Sequence, residues 1–240
     1  MGYRTAALFL LLLAAATPAA AQEISIDLGQ GTLGGRTIQL ILLLTVLSLA
    51  PGIAIMVTCF PFIVTVLSIL RQAIGLQQSP PNMLIVSLAL FLTYFVMEPV
   101  FQEAWRAGIG PLSEGLLSYE EAFPVAVDPF RRFMAARISP ATFEALQTLR
   151  PDSDAALTPS APLSLLVPSF MLTEISRAFE IGFLIFLPFL IIDLVVAAIL
   201  MSMGMMMVPP AIVSLPFKLA FFVVADGWTL VSAALVRSYS

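Results

Sequence analysis

The amino-acid sequence predicts an all-α polytopic membrane protein built from helical hairpins. Of its 240 residues, 60% are hydrophobic and only 11% are charged, and the mean hydropathy is +1.01. Such values lie outside the range of soluble domains. The apolar residues form runs long enough to cross a bilayer as helices. Prolines inside these runs predict that some of the helices are broken or kinked.

The residue types that the chain lacks exclude several functions. It contains no histidine, which removes the usual general base and the commonest metal ligand. Cys59 is the only cysteine, so neither an internal disulfide nor a thiolate metal cluster can form. No Gly-x-Ser-x-Gly motif is present. We therefore expect no catalytic activity, no cofactor and no metal site.

The charged residues argue against nucleic acid as a partner. The chain has 11 lysines and arginines against 15 aspartates and glutamates, a net charge of −4. The basic residues are scattered and form no stripe of the kind that binds nucleic acid. We expect membrane lipid and other proteins as the surroundings of this chain.

Residues 1–21 follow the pattern of a secretory signal peptide. Arg4 precedes the apolar stretch AALFLLLLAAA, and small residues end at Ala21. We expect cleavage before Gln22, which places the mature N-terminus outside the cytoplasm; an uncleaved anchor is the alternative, disfavoured because the run is short. Residues 22–37, which contain DLGQGTLGGR, predict a flexible mature N-terminal segment.

Residues 38–106 predict a first membrane hairpin. The run from Ile38 to Leu70 is too long for one span and is interrupted by Pro51-Gly52 and by Pro61, which predicts a broken or kinked helix. After the polar stretch RQAIGLQQSPPN, a second apolar run contains Glu98. This second run predicts the returning helix of the hairpin.

Residues 107–162 are less apolar and predict a small helical insertion on the extracytoplasmic side. Acidic and arginine side chains are frequent there. Asp128-Pro129 and Ser139-Pro140 each place a capping side chain before a proline, which predicts a helix start at both positions.

Residues 163–240 predict a second membrane hairpin whose turn is rich in methionine. The stretch SMGMMMVPP joins two apolar segments and holds Met203, Met205, Met206 and Met207. A turn in water should be polar, so other groups must cover these side chains. A partner subunit or lipid is one possibility. Gly204 and Pro209-Pro210 favour a shaped re-entrant loop, which is tolerated where protein buries it or where it lines a cavity.

Five charged residues in this second hairpin are candidates for a functional role. Asp193 and Lys218 lie equally far from the centre of the turn, roughly 19 Å along each helix at about 1.5 Å per residue. We expect an intramembrane ion pair, within the hairpin or with a neighbouring copy; separate solvation and proton coupling are the alternatives. Glu174, Arg177 and Glu180 recur every three residues, which predicts one charged helix face, either pairing and assisting assembly or simply solvated.

Two segments of the chain carry a family resemblance. PSFMLTEISRAFEIGF (residues 168–183) and PFLIIDLVVAAILMSMGM (residues 188–205) resemble the signature segments of the FliP/SctR family of type III secretion export-gate subunits. The resemblance extends to PGIAIMVTCFPFIVTVLSILRQAIG and SLALFLTYFVMEPVF, and residues 107–162 are its least diagnostic part. The signal peptide favours the flagellar branch of this family over the injectisome branch.

The resemblance implies a subunit of the flagellar protein export gate in the bacterial inner membrane, at the basal body. In that family about five copies form a ring with FliQ and FliR. Other flagellar export proteins surround this ring, and unfolded export substrates pass through it. The methionine loop of the family lines the pore as a gasket, a role that would fall to Met203, Met205, Met206 and Met207 here.

A secondary transporter is the alternative function. It would use Asp193, Lys218 and Glu98 as coupling groups for ions or protons. Transporters of this kind commonly contain an internal repeat, and the two halves of this chain show only weak similarity.

Overall fold

A computed structural model describes residues 33–76, 79–150, 155–205 and 207–239, and all regular structure among them is helical. The predicted all-α class is therefore confirmed for this part of the chain. The predicted signal peptide, residues 1–21, lies outside the described residues. So does the first part of the predicted flexible segment, whereas its last residues, from Leu33, already belong to a helix.

The helices follow one another in chain order as α1 (Leu33–Met56), α2 (Phe60–Ile74), α3 (Asn82–Ala104), α4 (Gly110–Ser113), α5 (Tyr119–Ala135), α6 (Pro140–Gln147), α7 (Leu163–Ser202), α8 (Pro210–Val224) and α9 (Gly227–Arg237). A π-helical turn, Trp105–Ile109, joins α3 to α4. Within the described residues, each predicted membrane hairpin thus contains three helices instead of two.

The chain divides into two compact units, with the boundary between Leu47 and Ser48. The described part of the first unit is the beginning of α1, whose side chains from Thr37 onward are exposed although they are strongly apolar. The second unit contains the end of α1 and all the helices that follow it.

The long apolar run at the start of the first hairpin breaks at residues 57–59. Helix α1 continues through Pro51 and ends at Met56, and α2 begins at Phe60. Pro61 lies in the first turn of α2, where a missing N–H costs nothing because that turn has no partner for it. Thr58 Oγ1 donates to the carbonyl of Ile55 across the break, at 2.9 Å.

Among the described residues, three helical stretches are long and apolar enough to cross a bilayer: Thr37–Met56, Asn82–Ser113 and Leu163–Ser202. A fourth stretch qualifies only if α8 and α9, which meet at a bend of 61°, are taken together. The 40 residues of α7 measure about 60 Å, roughly twice the thickness of a hydrocarbon core. Part of α7 must therefore lie outside the bilayer core or be strongly tilted.

The core of the second unit forms where α2 packs against the first half of α7. Buried residues of α7 recur every four positions at Phe170, Glu174, Ala178 and Gly182, which makes one continuous stripe. A Cβ atom on Gly182 would lie 2.4 Å from Ile69 Cδ1, so glycine permits the close approach of the two helices. This contact fixes the position of α7 and hence of the hairpin at its end.

The insertion, residues 107–162, is helical as predicted, but one of its two expected helix starts is wrong. Ser139 precedes Pro140 at the start of α6, as expected. Helix α5, however, begins ten residues before Pro129, which lies inside it. The stronger start signal is the capping box at Ser118, whose side chain accepts from the Glu121 N–H while the Glu121 carboxylate accepts from the Ser118 N–H.

Candidate functional site: a methionine turn and a buried ion pair

The methionine turn is a well-formed helix terminus followed by a proline-led helix start. The N–H of Met205 donates to the Leu200 carbonyl at 2.9 Å, and the N–H of Gly204 donates to the Met201 carbonyl at 3.0 Å. This is the Schellman pattern, which needs a left-handed residue, and Gly204 supplies it with φ +74°. Helix α8 then begins with proline. The sequence therefore builds a defined reversal of the chain.

The methionine side chains of this turn face outward. Met203 is 66% exposed, Met205 39% and Met207 96%. Met206 lies outside the described residues. The turn thus presents flexible, polarisable thioether side chains that the described residues leave partly or largely exposed.

An apolar groove of about 510 Å³ lies along the hairpin next to the turn. Its walls come from α7 and α8, and Met203 and Met205 close one end; the remaining lining residues are Ile191, Ile192, Val195, Val196, Ile199, Leu200, Val213 and Phe217. The tip of the hairpin therefore offers a continuous apolar surface from the turn down both helices.

Asp193 of α7 and Lys218 of α8 are in direct contact. Lys218 Nζ lies 2.6 Å from Asp193 Oδ2, and Ser214 Oγ donates to Asp193 Oδ1 at 2.6 Å. Lys218 is buried and also donates to the Ala73 carbonyl at 3.3 Å, near the end of α2. Carbonyl groups at a helix C-terminus carry partial negative charge, which favours a cation there. The pair consequently joins α7, α8 and the end of α2.

Sequence reasoning missed Ser214, although a signal for it existed. Ser214 precedes Lys218 by four residues on α8, so the two side chains lie on the same helix face. Lys218 contacts only one oxygen of the Asp193 carboxylate, and the other oxygen still requires a hydrogen-bond donor. A hydroxyl on the same helix face as Lys218 can be that donor.

The three charges Glu174, Arg177 and Glu180 do not form the common face that the sequence predicts. Glu174 is fully buried and accepts a hydrogen bond from the Tyr239 hydroxyl, while Glu180 is exposed. Arg177 donates to the Ser238 carbonyl at 3.0 Å and not to either glutamate. Six residues turn an α-helix through about 240°, so the two glutamates point in different directions.

Glu98 is hydrogen-bonded to Gln102 on its own helix and not to Asp193 or Lys218. Its carboxylate accepts from Gln102 Nε2 at 3.0 Å, and Arg106 Nη2 donates to Gln102 Oε1 at 3.3 Å, which makes an exposed ladder along α3 and the π turn. Within the described part of the chain, no three acidic or cysteine side chains come together in a way that could hold a metal ion.

A sequence model of the FliP family matches residues 43–235, which is most of the chain. The chain belongs to the FliP family. The matched range includes the methionine turn, the ion pair with Ser214, and the α2–α7 core.

Individual relatives agree with this assignment. The chain is 53% identical over 229 residues to the flagellar biosynthetic protein FliP of Caulobacter vibrioides, covering 92% of this chain and 85% of the relative. It is 46% identical over 236 residues to FliP of Agrobacterium fabrum, covering 96% of both chains. It is also 45% identical over 203 residues to FliP of Bacillus subtilis, covering 85% of this chain and 92% of the relative.

Tyr239, which donates its hydroxyl to Glu174, lies beyond the matched range, which ends at residue 235. Burial and the neighbouring Glu174 carboxylate raise the pKa of Tyr239, so its hydroxyl remains a protonated donor. No local pattern connects two residues 65 positions apart, and only the folded structure brings them together.

Proposed function

We propose that this chain is a core subunit of the flagellar protein export gate. About five copies would assemble with FliQ and FliR into a ring in the bacterial inner membrane, at the flagellar basal body. Unfolded flagellar proteins would pass through the axis of this ring. The methionine turn, Met203 and Met205–Met207, would seal the channel when it is closed.

Membership of the FliP family supports the flagellar assignment. The relatives from Caulobacter, Agrobacterium and Bacillus are each named flagellar biosynthetic protein FliP, and the matches cover most of this chain. The candidate site lies inside the range that the family model matches.

The single observation that carries the gasket role is the exposure of Met203, Met205 and Met207 at the tip of an apolar hairpin. Methionine is unbranched and has three rotatable bonds, so a ring of such side chains can close against water and yet adapt to varied polypeptides. Apolar constrictions block ions by excluding water from the pore. A turn with charged or amide side chains would lack this property.

The surface of the hairpin supports assembly into a ring. Large aliphatic residues beyond Asp193 are exposed on α7, and an apolar groove runs along α7 and α8. In a ring, one face of each copy packs on a different face of the next copy, so both sides of the hairpin must accept apolar contacts. The length of α7, about 60 Å, also favours burial of one part against protein and not lipid.

The structure does not favour the transporter alternative. The Asp193 carboxylate accepts from Lys218 and Ser214, and Lys218 also binds a backbone carbonyl, so both charges are occupied by structural partners. Glu98 accepts from Gln102 on its own helix, α3.

The gasket role is testable by replacing Met203, Met205, Met206 and Met207 with alanine. The loss of side-chain volume should open the closed pore to water, and the conductance of the assembled gate to small ions should rise roughly tenfold, as for a barrier lowered by about 1.4 kcal/mol. Conductance is measured in planar bilayers or as solute leakage in cells.

The matched control is Met83→Ala, because Met83 is also an exposed methionine, 81% exposed, but lies at the start of α3. This variant should conduct no more than the unmodified gate. Native mass measurement of the complexes shows whether the variants still assemble and how many copies are present. Unchanged conductance in an assembled gate with the four alanines would contradict the gasket role.

A further inference from the structure

The bend between α8 and α9 is built into the local sequence. Asp226 adopts a left-handed conformation with φ +47°, which non-glycine residues seldom adopt. Gly227 follows it, and a Cβ atom there would lie 2.1 Å from Phe222 Cε2. The ring of Phe222 therefore packs directly on the backbone at the start of α9, and a side chain at residue 227 would collide with it.

Neither arm of the bend is long enough to cross a bilayer by itself. The 15 residues of α8 measure about 22 Å and the 11 residues of α9 about 16 Å, against roughly 30 Å for a hydrocarbon core. In line, residues 210–237 would measure about 42 Å and would span it. A straight α8–α9 pair would thus be long enough to cross the hydrocarbon core, whereas neither helix of the bent pair is.

The end of α9 is held by side chains from three other parts of the chain. Tyr239 donates its hydroxyl to Glu174 of α7, and its ring lies 5.4 Å from that of Phe62 of α2, edge on. Arg137, between α5 and α6 in the insertion, donates to the Tyr239 carbonyl at 2.7 Å and covers its ring at 4.2 Å. Arg177 donates to the Ser238 carbonyl at 3.0 Å.

Glu174 depends on this contact. It is fully buried, its Oε2 accepts from Tyr239, and its Oε1 has no hydrogen-bond partner within the described residues. A buried carboxylate that lost its donor would be left with its full desolvation penalty. The contact between Glu174 and Tyr239 is therefore strongly favoured once the insertion and α7 have packed together.

We propose that Tyr239 is a clasp that holds α9 in its bent position, and that opening the clasp lets α9 swing about Asp226 into line with α8. The straight form relieves the left-handed conformation of Asp226, and the bent form gains the contacts of Tyr239 with Glu174, Arg137 and Phe62. Because Arg137 belongs to the insertion, the complete set of clasp contacts requires the folded insertion. The position of α9 thus depends on whether the insertion is folded.

The proposal is tested by distance measurements between spin labels on the full-length chain in nanodiscs, with Cys59 replaced by alanine. Labels at Leu90 of α3 and Ala234 of α9 sit at exposed positions on two helices that line one groove. In the chain with Tyr239 unchanged, the two labels should give a single short distance. Tyr239→Ala should add a second population that is longer by roughly 10 Å, the displacement expected when a 61° bend opens.

Tyr119→Ala is the matched control, because Tyr119 is 81% exposed and takes no part in the clasp. A distance distribution for Tyr239→Ala identical to that of the unmodified chain would overturn the proposal. A second label pair, Leu194 with Phe217 on the α7–α8 hairpin, reports on folding and should not change.

If Tyr239→Ala also disturbs the hairpin pair, Tyr239→Phe decides the matter. Phenylalanine keeps the ring contacts but cannot donate to Glu174, so Tyr239→Phe should give a long-distance population that is smaller than that of Tyr239→Ala. If Tyr239→Phe gave no long-distance population at all, the clasp would be refuted. These distances are measured on the isolated chain, so their outcome is independent of whether the methionine turn seals a pore.

Discussion

The two ends of α7 belong to one continuous helix and yet have different surroundings. In the first half, which we call the base (residues 163–182), every fourth residue is buried and the helix packs on α2 and on the insertion. In the second half, the tip (residues 189–202), burial is limited to Phe189, Val196 and Leu200. Large aliphatic side chains are exposed there, namely Leu190, Ile191, Leu194, Val195 and Ile199.

The two parts differ in composition, because the base carries three charged residues and the tip carries only Asp193. The base contains small and polar side chains at its contact, Ser169, Glu174, Ala178 and Gly182, which permit close approach and fix a specific partner. The tip contains bulky aliphatic residues and Met201, and the methionine turn follows it; such side chains fit many apolar neighbours. The base thus makes a specific contact within the chain, whereas the tip presents an apolar surface that the described residues leave largely exposed.

The largest effect is expected where the tip is tied to the rest of the chain. Lys218→Met removes the cation and leaves Asp193, whose side chain is 31% exposed, without its partner. We expect a loss of about 3 kcal/mol in the free energy of unfolding, the lower end for a broken buried pair because Asp193 retains some water. Denaturant unfolding in detergent measures this loss, and hydrogen exchange should increase at the tip more than at the base.

Two further variants test whether the pair causes this effect. Ser214→Ala leaves the pair intact and removes one donor to Asp193, so it should cost only about 1 kcal/mol. Asp193→Asn combined with Lys218→Met removes both charges and should recover most of the loss. A double variant as unstable as Lys218→Met alone would show that the interaction between the two charges is not responsible.

A smaller effect is expected at the base. Gly182→Val forces side-chain atoms into Ile69, whose Cδ1 would lie 2.4 Å from a Cβ atom at residue 182. We expect a cost of about 2 kcal/mol from overpacking, with increased hydrogen exchange in α2 and the base and none at the tip. Differential exchange, followed by mass spectrometry, separates the two regions.

Gly52→Val is the matched control, since a Cβ atom at Gly52 meets nothing within 4 Å. It also lies inside a helix, so both substitutions change helix propensity alike. If the two valine variants were equally destabilised, the close approach of α2 and α7 would not be the cause.

The sequence predicts the helices well because long apolar runs have few other structures open to them in a membrane. It places Asp193 and Lys218 at equal distances from the turn, and the structure has them 2.6 Å apart. It does not show which apolar residues of α7 are buried and which are exposed, because both kinds have the same hydropathy. Contacts such as Glu174 with Tyr239 depend on packing between distant segments and carry no local signal.

Proline placement shows a second limit of local patterns. Ser139-Pro140 does begin a helix, whereas Asp128-Pro129 lies inside α5, where the Asp128 carboxylate accepts from Arg132 Nε at 2.9 Å. The same dipeptide pattern thus has two outcomes. Helix α5 starts upstream of Asp128-Pro129 because the capping box of Ser118 and Glu121 supplies hydrogen-bond partners for two N–H groups there.

The smallest effect is expected from this capping box, which lies at exposed positions in the insertion. Ser118→Ala removes the side chain that accepts from the Glu121 N–H, and losing an N-cap serine costs about 1 kcal/mol. Hydrogen exchange should increase in the first turn of α5 only. Increased exchange at the base or the tip would mean that the insertion controls the packing of α7 more directly than its contacts indicate.

The same capping box predicts a pH dependence whose sign follows from its hydrogen bonds. The Ser118 N–H and hydroxyl donate to the Glu121 carboxylate and lower its pKa below the ordinary 4.5. A lowered folded-state pKa stabilises the fold above the unfolded-state value, and this contribution is lost as the pH falls through the folded-state value. Protection of the first turn of α5 should therefore decrease below about pH 4.5. Glu121→Gln should abolish that pH dependence while leaving protection at the base of α7 unchanged, and a variant that kept it would assign the titration to another carboxylate.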